Sequence, residues 1–576
     1  MKLPQTDSEK VWRALRKIFP AVGLAFLWIL AVWKTQGIQF ETNDDKYIAE
    51  ILSGVITGKP DGHTVYLNYL LAAPLSCLYR MTSGIPWYGG MLVVLHLAMY
   101  SALLLSVWSR SENGLERVIV TGMTGCFALI NLSVTVNIQF TSTAALLAAA
   151  GYICLILHRN PRKGMVLFFL LELLAYLVRD QAMLMMQPLG AGAWIGLCLT
   201  RKNTDRKEKA KQAGSMLAVI AAALLIGTIG SLYGYRGEEW KQYNRFNNAL
   251  VTLFDYCGKP DYEEVRSILE KHDVTRAEYV AFCNNVMADW DISVECVEEL
   301  AVYARQKAPR EVDVGALLKQ IWGAGKNSIP DIRQIVVVIW GGALLWMLLR
   351  RHFLLALPLG GIALGKTLVW GYLIYGGRMP ARVTQPLLSG ELFMLTALLI
   401  WDYTVGEKTK PGKKAAVLLC GVYGFLCVWS GWTQYRDNRG IRAWQEIYME
   451  GLLEIQQYCN EHPGDRYLLD AWSFSYYTGS AFETRIYRKN NCVYSGGWFT
   501  NTPIRHRYLQ EYFEGYENDF HLIVYDDGNR EAHWAVEYLA EKAGTAPQLE
   551  DEITVSAGGI YLVWHFGEED GAAVRD

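Results

Sequence analysis

The chain has 576 residues, of which 52% are hydrophobic and only 19% charged, with 20 Trp, 33 Tyr and a net charge of −2. The near-balance of charge leaves no basic footprint for a nucleic-acid partner. Long runs without a charge exclude an ordinary soluble protein, whose buried helices need a polar face. No Walker-type loop, GxSxG or HExxH occurs in a suitable context, so an ATP-driven pump or a membrane hydrolase of those classes is unsupported.

In chain order, the uncharged or nearly uncharged runs are Ala21–Trp33, Pro86–Ser109 and Val118–Leu157, then Gly164–Val178, Gln181–Thr200 and Ala213–Tyr235. Gln334–Leu349, Phe353–Gly376, Val383–Trp401 and Ala415–Tyr435 follow. Val118–Leu157 is 40 residues long, too much for one span and right for two, with polar Asn131–Gln139 as the turn between them. The pattern predicts a mainly α, polytopic membrane protein of about eleven spans. Lys10, Arg13, Arg16 and Lys17 precede the first run and no small-residue cleavage site follows it, so it reads as a retained anchor.

Charge placement orients the spans. With the N-terminus cytoplasmic, alternation puts 1–18, 109–117, 158–163, 201–212, 350–352 and 404–414 inside, and each of these carries two or more Lys or Arg. The short outside turns hold only Arg179, Arg378 and Arg382. Thr64–Tyr79 is apolar enough to tempt as a span, but counting it would reverse every later loop. It reads instead as an interfacial or re-entrant piece broken at Pro74. The expected location is the plasma membrane, with the C-terminus outside.

Three polar regions then face outward: the first loop 36–85, the second loop 236–333 and the C-terminal domain 436–576, with 1–435 as the membrane module. Glu263–Lys271 and Ala277–Met287 read as short amphipathic helices. Beyond Arg436, strand-like runs at Arg466–Leu469, His521–Tyr525 and Gly559–His565 alternate with helical Trp444–Cys459 and Ala532–Ala543, which suggests a small α/β domain. The eleven cysteines show no metal spacing. Cys257, Cys283, Cys296, Cys459 and Cys492 face outward, as a disulfide or as thiols.

Three acids, Glu41, Asp44 and Asp45, lie just beyond the first span. Carboxylates there can act as a general base or bind a metal. The plainer reading makes Asn43 an N-cap with Asp44 and Asp45 in a helix's first turn, where acids are favourable anyway.

The wider arrangement, Asp44-Asp45-Lys46-Tyr47, Gly58, His63, Pro74 and Leu78-Tyr79 ahead of a second span, resembles the GT-C glycosyltransferases, particularly their bacterial protein-mannosyltransferase-like branch. Asp-Asp stands where that family often has Asp-Glu, and His63-Thr64 where it often has His-Pro. The resemblance implies an enzyme that moves a sugar from a polyprenyl-phosphate carrier to a glycan or lipid acceptor outside the cytoplasm. It implies Asp44 as the base that takes the acceptor's proton, and Asp45 in support or on a metal. A divalent cation is compatible with these acids and not required by them. Tyr47 and His63 join the expected substrate-binding set.

Such a reaction needs cations on the departing phosphate, and Arg suits phosphate bidentately. Arg179, Arg378 and Arg382 are the candidates, against the reading that they snorkel to lipid headgroups. Within the spans, Glu172, Lys366 and Glu391 are costly charges that face an interior. Lys366 either reaches a lipid phosphate or pairs with Glu172 or Glu391, and pairing is the favoured reading. Tyr233, Tyr235, Trp240, Tyr372 and Tyr375 read as an interfacial aromatic belt. Two other functions compete: a lipid-linked polysaccharide polymerase or ligase, whose essential residues would lie in 236–333, and a transporter or flippase, against which the absence of a sequence repeat argues.

Overall fold

The structure is a computed structural model that describes residues 7–201, 204–285, 292–307, 313–322, 332–377, 379–405, 410–475, 477–485, 491–516, 519–528 and 533–567. Among the described residues, nine helices are long and apolar enough to cross a membrane. They are Leu15–Gln36, Trp87–Trp108, Phe140–Leu157, Asp180–Thr200, Arg206–Gly234, Ile332–Arg350, Phe353–Gly376, Ala381–Val405 and Val417–Glu461. The other two expected spans are helical too. Gly114–Ile130 is short, at 17 residues, and Pro161–Val178 carries Arg162, Lys163 and Glu172. Helices are what such a chain must form, because hydrocarbon offers the backbone no other partner.

Large apolar side chains point away from the bundle, as at Leu225 and Leu364, each 62% exposed. Water would disfavour such a surface and lipid accepts it. Phe140–Leu157 is buried along its whole length and is the hub of the bundle. Trp87–Trp108, Pro161–Val178, Asp180–Thr200 and Ala381–Val405 pack around it. Its run of small residues, Ala144, Ala145, Ala148–Ala150 and Gly151, lets the neighbouring backbones approach. The basic loops touch one another: Arg110 Nε donates to the Leu157 carbonyl and the Arg159 N–H to Ser109 Oγ.

The first loop is woven into the rest of the chain. Strand β1 (Gln39–Phe40) pairs in parallel with β2 (Asn137–Ile138), just before the hub helix. The helix Asn43–Ser53 follows β1 and ends at Gly54, whose φ of 89° suits glycine. Thr64–Tyr79 corrects the sequence reading in one respect. Tyr69–Met81 is one unbroken helix, capped by Asn68, and Pro74 sits inside it. The proline removes a single helical hydrogen bond, that to the Leu70 carbonyl, and the helix continues past it. With 13 residues it is too short to span.

The second loop is a helical layer of Glu238–Val251, Tyr262–Lys271, Arg276–Cys283 and Val294–Lys307 around Phe246, Leu269, Val297 and Leu300. The helix expected at Ala277–Met287 is observed as Arg276–Cys283, and Met287 lies outside the described residues. Ala277 and Ala281 of that helix enter the core of the C-terminal domain.

That domain hangs from one continuous 52-residue helix, Lys410–Glu461, so the boundary expected at 435/436 falls inside a helix. Its sheet has the order β4-β3-β5-β7-β6. The strands are β3 (Tyr467–Leu469), β4 (Cys492–Tyr494), β5 (Phe520–Tyr525), β6 (Gln548–Thr554) and β7 (Ile560–Phe566). β3 runs parallel to β4 and β5, while β5, β7 and β6 are antiparallel. The three expected runs are β3, β5 and β7, and helix Trp534–Ala543 matches the expected helical stretch. The eleven cysteines form no disulfide.

Candidate functional site

The two acids at the start of Asn43–Ser53 have different surroundings. Asp45 is fully buried, and its Oδ1 accepts from Tyr88 Oη (2.8 Å) and from the Phe140 N–H (3.1 Å). It therefore ties the first loop to two helices of the bundle. Burial pushes its pKa well above the ordinary 3.8. The Tyr88 hydrogen bond opposes that shift, and the nearby charges of Asp44 and Glu41 add to it. Asp44 is only partly buried, and its Oδ1 accepts from Trp498 Nε1 at 3.0 Å. Trp498 belongs to the loop after β4, so the C-terminal domain holds this carboxylate directly.

Tyr66 is the centre on which charges converge. The Arg179 guanidinium lies over its ring at 4.9 Å and over Phe140 at 5.8 Å. Trp498 stands against Tyr66 at 4.5 Å between ring centroids. Burial raises the Tyr66 hydroxyl pKa, and it also feels the charges of Asp44, Arg179, Asp255 and Arg382. Arg179 is placed by the break between Pro161–Val178 and Asp180–Thr200, and its Nη2 donates to Gln181 Oε1 at 3.0 Å. Arg382 is placed by the first turn of Ala381–Val405, whose backbone is fixed by Ser142 Oγ donating to the Arg382 carbonyl at 3.2 Å. Arg378 lies outside the described residues.

Glu41 completes the group. Its N–H donates to the Ile138 carbonyl at 3.2 Å, which extends the β1–β2 pairing by one bond. Burial lifts its pKa from 4.5 to about 7, against the pull of Arg382. A carboxyl that changes protonation near neutrality beside a guanidinium is suited to proton transfer. The cluster thus unites three residues singled out from sequence (Asp44, Arg179 and Arg382) with Glu41, Tyr66 and Trp498, which sequence reasoning did not assign to the site. For Glu41 a signal existed, since it is one of the three acids after the first span. For Tyr66 and Trp498 there was none, because distant segments bring them in.

The remaining candidates sit elsewhere. Tyr47 is buried against Tyr494 and Phe499, at 5.5 and 4.7 Å between centroids. Beside it lies a buried charged network. Lys46 Nζ is 3.0 Å from Glu50 Oε1 and donates to Tyr494 Oη at 2.6 Å. Arg505 donates to the Ile56 carbonyl at 2.7 Å and to the Tyr494 carbonyl at 2.9 Å. This network clamps the first loop to the C-terminal domain. His63 bridges Asp61 Oδ1 (2.6 Å) and the Gly234 carbonyl (2.9 Å) and stacks on Trp240 at 5.0 Å. Its ring thus ties the first loop to the end of helix Arg206–Gly234. Lys366 is buried against Glu391 at 2.9 Å, inside the bundle, with its Nζ 4.6 Å from the centre of the Trp322 ring.

Among the described residues of the second loop, Arg245 pairs with Glu295 and Glu298, Lys271 with Glu299 and Lys307 with Glu264, while Glu239 pairs with Arg507 of the C-terminal domain and the Asp255 charge acts on Tyr66.

Fold and site together define a multi-helix membrane protein with an acid–arginine cluster where the first loop, the bundle and a small α/β domain meet. No family model matches the sequence, and no curated protein matches it. Among solved structures the chain is similar to the crystal structure of ArnT from Cupriavidus metallidurans bound to undecaprenyl phosphate. That likeness has 11% identity and a TM-score of 0.36, and covers 94% of this chain and 97% of that one.

Proposed function

We propose that the protein is a cell-envelope glycosyltransferase of the GT-C type, moving a sugar from a polyprenyl-phosphate carrier to an extracytoplasmic glycan or lipid acceptor. The observation that carries this reading is the Arg179 guanidinium over Tyr66, with the charges of Asp44 and Arg382 acting on the same tyrosine and Arg382 also acting on Glu41. The lipid tail lies along the apolar bundle in the plasma membrane, and the phosphate docks against the two guanidinium groups. As the bond from the anomeric carbon to the phosphate oxygen breaks, negative charge grows on the phosphate and the guanidiniums stabilise it. The acceptor oxygen bonds to the anomeric carbon, and Asp44 takes the proton it loses. Asp45 fixes the helix that presents Asp44, while Tyr66 and Trp498 offer aromatic faces to the sugar. The basic loops are cytoplasmic and the C-terminal domain faces outward, as the charge rule requires.

The phosphate step is tested by titrating purified protein in detergent with polyprenyl phosphate alone, read by native mass spectrometry. A charge-assisted hydrogen bond contributes about 1.5–3 kcal/mol, so Arg179→Ala and Arg382→Ala should each weaken binding about tenfold or more. Binding that both variants leave unchanged would sink the assignment.

A further inference from the structure

We propose that the C-terminal sheet carries a site for a divalent transition-metal ion of the Zn²⁺ class, built from His521, Glu550 and His565. His521 on β5 and His565 on β7 are directly opposed cross-strand partners, so both rings stand on one face of the sheet. Their centroids are 4.7 Å apart. On the other side of β7, Gln548 of β6 is registered with His565, and the pairing then slips between Leu549 and Asp551. Glu550 is the residue at that bulge. Bulges re-aim a side chain, and this one brings Glu550 Oε2 to 2.7 Å from His521 Nε2. One donor atom from each of the three residues lies within 4.8 Å of the other two.

The donor chemistry selects the ion. Two imidazoles and one carboxylate suit zinc and its neighbours and do not suit magnesium or calcium, which take oxygen. Zinc bonds of 2.0–2.2 Å place tetrahedral ligands roughly 3.3–3.5 Å apart. Closing from the present spacing takes about an ångström, and Glu550 has room to turn on the exposed strand β6. Asp519 Oδ1 lies 2.9 Å from His565 Nε2, where a carboxylate that orients a ligating imidazole belongs.

The site is distinct from the acid–arginine cluster. The domain's contact with that cluster, Trp498, follows β4 at one edge of the sheet, whereas His565 and Glu550 lie on β7 and β6 toward the other edge. An ion here would pin edge strand β6 to β5 and β7 and hold the outer domain rigid.

The test uses the full-length protein in detergent, stripped with a chelator and titrated with Zn²⁺ by calorimetry, then with Co²⁺ by visible absorption. The expected result is one equivalent of Zn²⁺, no competition from Mg²⁺, and a tetrahedral Co²⁺ spectrum. Loss of an orienting partner costs 10–100-fold in affinity, so Asp519→Asn should fall about that far and Glu550→Gln at least as far. Glu550 is exposed, so its variant keeps the fold where His521→Gln could lose it. The proposal is overturned if the stripped protein takes up no Zn²⁺, or if Glu550→Gln and Asp519→Asn bind it as wild type does.

Discussion

Replacing Asp45 separates the charge of its carboxylate from the hydrogen bonds it accepts. Asp45 Oδ1 takes both the Tyr88 hydroxyl and the Phe140 N–H, and Oδ2 lies 3.4 Å from Thr42 Oγ1. Alanine leaves two buried donors without an acceptor, at about 1–3 kcal/mol each, so Asp45→Ala should lose about 2–6 kcal/mol before any cavity is counted. Asparagine keeps an oxygen where the two donors point and places an amide where Thr42 can accept. Burial already holds the Asp45 carboxyl toward its neutral form, so the amide mimics the native group. Asp45→Asn should stay within about 1 kcal/mol of wild type and keep most of the transfer activity. Thermal unfolding in detergent, followed by intrinsic Trp fluorescence, compares the three proteins. If asparagine proves as damaging as alanine, or abolishes transfer in a protein that stays folded, the negative charge on Asp45 is itself used and its assignment as a positioning residue fails.

Glu41 gives a pH signature. Its pKa rises on folding from 4.5 to about 7, so the native state keeps a proton that the unfolded chain releases, and stability falls as pH rises through that window. Unfolding measured at about pH 5 and pH 8 should show a smaller difference for Glu41→Gln than for wild type. Lys46→Met strands Glu50 in the buried network and should cost about 3–5 kcal/mol, with much of the loss recovered in Lys46→Met/Glu50→Leu. No recovery in the unfolding midpoint would show that the ion pair is not the cause. Lys366→Met should lower the unfolding midpoint and leave the affinity for polyprenyl phosphate unchanged, because Lys366 is committed to Glu391. A weakened affinity would return Lys366 to the phosphate site.

What the sequence revealed follows from what each force leaves in the local pattern. Hydrocarbon demands unbroken apolar helices, so each expected span falls on one, although nine of the helices among the described residues meet the length and composition of a membrane helix. Charge excluded from short turns marks Arg179 and Arg382; the Arg179 guanidinium lies over Tyr66, and the Arg382 charge acts on Tyr66 and Glu41. Trp498 reaches Asp44 across 454 residues, and no local pattern carries such a contact. β6 was hidden because Gln548–Thr554 lies almost wholly exposed on the sheet edge and shows no buried alternation. The helix Lys410–Glu461 runs past Tyr435 because loss of hydrophobicity ends a span without ending a helix. The motif around His63 suggests a substrate ligand, and in the fold its two ring nitrogens meet Asp61 and the Gly234 carbonyl, the latter a contact between distant segments that no local pattern carries.

The central claim is that Asp44 removes a proton during sugar transfer from a polyprenyl-phosphate donor. Purified protein in lipid is given a panel of radiolabelled polyprenyl-phosphate sugars, and release or transfer of label is followed for wild type, Asp44→Asn and Asp45→Asn. The account predicts that wild type consumes one donor, that Asp44→Asn slows it by about 10²-fold or more while remaining folded, and that Asp45→Asn stays active. Consumption of no donor, or an Asp44→Asn protein as fast as wild type, would contradict it.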